Sequence, residues 1–254
     1  MGLGDFFSSV CDFVSDAFTT FCDGASLIID SFSGFAETIA AGIKDICEGI
    51  GVEGMLLIGS IALSLIVPGV GIPELLTIIQ IVGQIALSLN VGGDDTPEEL
   101  GMKAEIAEKK PTDFDSTEAY INYLNEEVTL DEGLVGSLSP EDKVKYGLIG
   151  SALDIKAIQE KYKIELSPDF LRDVALLDLS GEEVATCVKE FSEQGITKME
   201  DMTNYIRGNE TNVDKQEISS CMTDTLKELY PELSEEQIND KLCELADKLE
   251  SVDL

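Results

Sequence analysis

Residues 55–89 read MLLIGSIALSLIVPGVGIPELLTIIQIVGQIALSL, and Glu74 is the one charged residue among them. No other feature limits the fold of this chain so sharply. Pro68, Gly69, Gly71 and Pro73 interrupt the run at its middle, because proline and glycine end helices. The spacing predicts two antiparallel helices, over 55–67 and 75–89. Pro68, Gly69, Gly71, Pro73 and Glu74 form the hairpin turn between them. Pro73 suits a first helical turn, and the Glu74 carboxylate complements the helix dipole there. Only Gly59, Ser60 and Ser64 dilute the first block, and only Thr77, Gln80, Gln84 and Ser88 the second. Gln80 and Gln84 share a face and are placed to hydrogen-bond across the hairpin. A helix apolar all round lies in a large core or in lipid. Each block alone is shorter than the ~20 residues that span a bilayer, and reaches marginal length with its Gly-rich flanks. Leu57, Ile61, Leu65, Ile78, Ile81 and Ile85 are the expected contacts with lipid or with other subunits.

The preceding segment repeats every seven residues from Cys11. One column reads Cys11, Phe18, Ala25, Phe32, Ile39 and Ile46; another reads Val14, Phe21, Ile28 and Phe35 before turning to Gly42 and Gly49. These are the a and d places of a heptad. A third column holds Asp16, Asp23, Asp30 and Glu37, an acidic stripe on the opposite side. Unbroken, residues 7–46 form a helix roughly 60 Å long. Gly24 and Gly34 weaken it by about 1 kcal/mol each relative to alanine, so breaks are expected near both. A helix this weak needs tertiary, oligomeric or lipid contacts. Phe7, Val14, Phe18, Phe21, Ile28, Phe32, Phe35, Ile39 and Ile46 are its expected contact residues.

Charge divides the chain at the Gly92-Gly93-Asp94-Asp95 joint. Residues 1–93 hold ten acids and Lys44 as the single base; the remainder holds 40 acids and 16 bases, a net charge of -24. Two domains are expected: an apolar helical region over 1–93 (arm 5–50, hairpin 55–89) and an acidic all-α domain over 94–254. A chain of net charge -33 is unsuited to nucleic acid, which needs a basic face. It suits a basic protein partner. Adaptation to high salt is another source of such acidity.

Helix starts in the acidic part are well marked. Thr96-Pro97-Glu98-Glu99, Ser139-Pro140-Glu141, Ser167-Pro168-Asp169, Ser180…Glu183 and Ser234…Gln237 carry caps, first-turn prolines or capping boxes. They predict helices near 97–109, 116–128, 140–162, 168–178, 181–194, 198–207, 214–229 and 235–251. The expected fold class is all-α: apolar amphipathic helices and a hairpin, followed by an acidic multi-helix bundle.

No chemistry emerges from the motifs. The chain has no histidine, which removes the usual general base and the Ser-His-Asp and Cys-His constellations. Carboxylate pairs among fifty acids carry no information. Asp113-Phe114-Asp115 begins like a calcium loop, but Glu118 stands in place of the required glycine and Leu124 in place of the final glutamate. Six scattered cysteines with no CxxC pair read as reduced, buried thiols. No catalytic residue, cofactor or metal is expected. MGLGDFFSSV lacks early Lys or Arg, so no signal peptide is evident.

The sequence therefore predicts a non-enzymatic, membrane-active or membrane-anchored helical protein, an oligomer with an acidic docking domain. The alternative is a structural component of a large assembly, such as a phage or injection-system particle, whose heptads pack on copies or neighbouring subunits. A carboxylate-based enzyme ranks third. Membrane association or residence in an assembly is the expected location, and otherwise the cytoplasm.

Overall fold

A computed structural model describes residues 34–50, 62, 65–66, 71–131 and 133–250 of the chain. The described residues are all-helical, with no strand; one isolated parallel bridge joins Glu165 and Lys198. The α-helices among them are α1 (Gly34–Ile50), α2 (Ile72–Ser88), α3 (Pro97–Ile106), α4 (Thr117–Glu127), α5 (Pro140–Tyr162), α6 (Pro168–Leu177), α7 (Gly181–Glu193), α8 (Glu200–Ile206), α9 (Lys215–Leu229) and α10 (Glu235–Glu250). The eight helices expected in the acidic part are all present, with ends within three residues of the capping signals. The chain separates into two compact units. One takes the described residues up to Ile79 with Gly93–Leu153, the other Gln80–Gly92 with Asp154–Leu254.

In the first unit, α1 buries Ile39, Ile43 and Ile46 and exposes Thr38, Ala41, Lys44 and Asp45. That is the spacing of one helical face. A Cβ at Gly42 would stand 2.7 Å from Cδ of Lys145, so the missing side chain makes room for the lysine stem. Helix α3 starts with a complete capping box: Glu99 N–H donates to Thr96 Oγ1 at 3.3 Å, and Thr96 N–H donates to the Glu99 carboxylate at 2.8 Å. It lies backbone to backbone on α5, because a Cβ at Gly101 would overlap the Tyr146 carbonyl and one at Gly150 the Pro97 carbonyl. The Gly92–Asp95 joint is not slack on this side. Asp95 holds the buried Lys103 ammonium at 2.5 Å, and Gly93, at φ +73°, abuts the Asn125 amide. Helix α4 buries Tyr120, Ile121 and Leu124, and Phe114 packs on the Tyr120 and Tyr123 rings.

In the second unit, α9 packs along α7, and α8 meets α6, α9 and α10. Ser167 and Ser180 cap α6 and α7. Asp178 ends α6 in the left-handed region at φ 57°, a conformation that Asp and Asn tolerate better than most residues. Arg207 grips Asp173 with two N–H donors at 3.2 and 2.7 Å, fastening α8 to α6 through a fork that matches a carboxylate. The buried Asp201 carboxylate accepts the backbone and side-chain N–H groups of Asn212 at 2.7 and 3.1 Å, which fixes the turn before α9.

Candidate functional site: the seat of the apolar helix

Helix α2 is the described part of the apolar hairpin. Its start is closed locally. Gly71 N–H donates to the Glu74 carboxylate at 3.1 Å, and Thr77 Oγ1 donates to the Pro73 carbonyl at 3.0 Å. Glu74 thus satisfies a backbone donor as well as complementing the dipole. Leu75, Ile78, Ile79, Ile81, Val82, Ile85, Ala86 and Leu89 are buried, while Glu74, Thr77, Gln80, Gln84 and Leu87 are exposed. The helix therefore has a thin wet edge. Gln80 and Gln84 lie on it.

The helix up to Ile79 belongs to the first unit and from Gln80 to the second, and each part has its own contacts. In the first, Ile79 fills the space that a side chain at Gly147 would occupy; a Cβ there would meet Ile79 Cδ1 at 2.8 Å. In the second, Gly181 stands so close to Gln84 and Ile85 that a Cβ would come within 2.7 Å of the Gln84 backbone carbon. The end of α2 is also tied there. Tyr162 Oη donates to the Leu89 carbonyl at 3.3 Å and Lys161 Nζ to the Asn90 carbonyl at 3.0 Å, supplying partners for carbonyls at a helix end. Asp154 closes the site. It is 2% exposed, its Oδ1 has no hydrogen-bond partner, and a Cβ at Gly92 would stand 2.8 Å from that atom. Burial pushes its carboxyl well above the ordinary carboxylate range.

Of the expected contact residues, Phe7, Val14, Phe18, Phe21, Ile28, Phe32, Leu57 and Ile61 lie outside the described residues, as do Pro68 and Gly69 of the turn. Phe35 is on α1. Ile39, Ile46, Leu65, Ile78, Ile81 and Ile85 are buried within this single chain. Gly71, Pro73 and Glu74 sit together at the start of α2. Helices α5 and α7 present glycines to α2. The sequence signal for these contacts was Gly147 and Gly181 in or opening helices, where glycine is unfavourable unless close approach requires it. Asp154 had no sequence signal beyond being an acid in an otherwise apolar turn of α5.

Among the described residues no helix is long and apolar enough to cross a membrane. No three Cys, Asp or Glu side chains among them are grouped to hold a metal ion. No protein-family model, curated protein or solved structure matches the chain.

Proposed function

We propose that the protein is a non-enzymatic structural component that assembles with copies of itself, or with neighbouring subunits, through its N-terminal heptad arm. Helix α2 serves as the root that fixes this arm to an acidic helical body. The observation that carries this reading is the burial of α2 inside one chain. Ile78, Ile79, Val82 and Ile85 are at most 4% exposed without lipid or a second copy. An anchor that must enter a bilayer gains nothing from a seat shaped by Gly147 and Gly181. The heptad columns at Phe18 and Phe32 retain the apolar pattern that a partner helix would cover. The chain lacks histidine, and its strongly raised carboxyl, Asp154, is sealed from substrate.

Sedimentation velocity with liposome flotation tests this. The full chain is expected to form a discrete oligomer that Phe18→Ser with Phe32→Ser dissociates, and to stay off liposomes. A monomer that floats with vesicles at high salt would overturn the proposal and favour insertion of the hairpin.

A further inference from the structure

Helices α7, α8, α9 and α10 border a cavity of about 30 Å³ in the second unit. Three sulfur side chains from three helices line it: Cys187 of α7, Met202 of α8 and Met222 of α9. They are 8%, 1% and 4% exposed. Thr225 of α9 also lines it, 2% exposed, and its hydroxyl has no hydrogen-bond partner. The Thr225 hydroxyl lies beside the Cys187 thiol. Leucines complete the wall, and Glu183 and Lys241 also border the cavity. The space is that of about two water molecules, too small for an organic ligand of ordinary size.

We propose that this cavity binds one soft monovalent metal ion, Cu(I) or its analogue Ag(I), through the Cys187 thiolate and the Met202 and Met222 thioethers. Donor chemistry and charge both point there. Thiolate and thioether sulfur select soft ions, whereas calcium and magnesium require oxygen ligands. Binding replaces the thiol proton: Cys187–SH and M⁺ give the M–S bond, and the proton leaves to solvent. A monovalent ion with one thiolate is neutral, so the apolar cavity takes up no net charge. The empty site stays a neutral thiol, since burial pushes Cys187 up to about 12. The metal must supply the free energy of deprotonation, so affinity rises with pH.

The test uses the full chain under anaerobic, reducing conditions, with methyl-labelled methionine. Ag(I) is titrated to six equivalents, the number of cysteines in the chain. Only the Met202 and Met222 methyl resonances of the six methionines are expected to shift, and Cys187→Ala should abolish both shifts. In a chain whose other five cysteines are serine, Met202→Leu with Met222→Leu should weaken Cu(I) at least tenfold against a chromophoric competitor. These swaps conserve volume and spare the fold. Metal uptake without those shifts, shifts that survive Cys187→Ala, or unchanged affinity in the double-leucine chain would each overturn the proposal. Zn(II) binding as tightly as Cu(I) would overturn it too.

Discussion

Asp154 holds a carboxyl where no water reaches it, and the consequence is a pH dependence of definite sign. Its folded-state pKa lies above the ordinary value of 3.8. The folded chain thus keeps a proton that the unfolded chain has released. Stability falls as pH rises from about 4 through the raised folded pKa, because the native state binds more protons across that window. Asp154→Asn removes the ionisable group and keeps the shape. Denaturant unfolding followed between pH 4 and 8 should show this slope in the parent after subtraction of the Asn variant. A variant no more stable than the parent at pH 8 would show that Asp154 does not resist ionisation. Cys187 and Cys221 are likewise buried and unpaired, and Cys243 is exposed. The expected burial thus holds for two of these three.

At the scale of elements, glycine contacts set how closely α2 sits. Gly181→Ala would press a methyl group onto the Gln84 backbone, which cannot rotate away, and should destabilise by about 2 kcal/mol. Gly136, in the short 3₁₀ turn Val135–Ser137, has open space where a methyl group would stand, with nothing within 4 Å. Gly136→Ala should be neutral or gain about 0.5 kcal/mol through the unfolded chain. Chemical denaturation of both variants distinguishes seat from spacer; equal effects would refute the seat. This is also where legibility in the sequence ended. Thr96, Ser167 and Ser180 announced their helices because capping is a local act that four residues decide. Placement of α2 is not local. The periodicity of LLTIIQIVGQIALSL left both lipid and protein open as hosts, with the reading leaning to membrane or assembly, since Thr77, Gln80 and Gln84 make a wet edge too thin to read as amphipathic. In the structure its neighbours include glycines about sixty-five and a hundred residues downstream, Gly147 beside Ile79 and Gly181 beside Gln84. Their role could not be read before the helices were brought together.

Across the whole molecule, fifty acids against seventeen bases impose self-repulsion that compactness must overcome. Ion pairs relieve only part of it. Several, such as Lys109–Glu127 and Lys227–Glu235, join exposed side chains at 3.7 and 3.9 Å and contribute little. Screening should therefore stabilise. Melting temperature is expected to rise from low salt to about 0.5 M NaCl, where the Debye length shrinks to a few ångström. A fall would mean that attractive pairs outweigh the repulsion. The two ends of α2 respond differently to any load. Glu74 and Thr77 bind only the backbone beside them, whereas Tyr162 and Lys161 reach Leu89 and Asn90 from another helix. A pull on the chain ahead of Gly71 would peel α2 from its leading end and stall at Leu89, so traction on the arm would be borne last by those two side chains of α5.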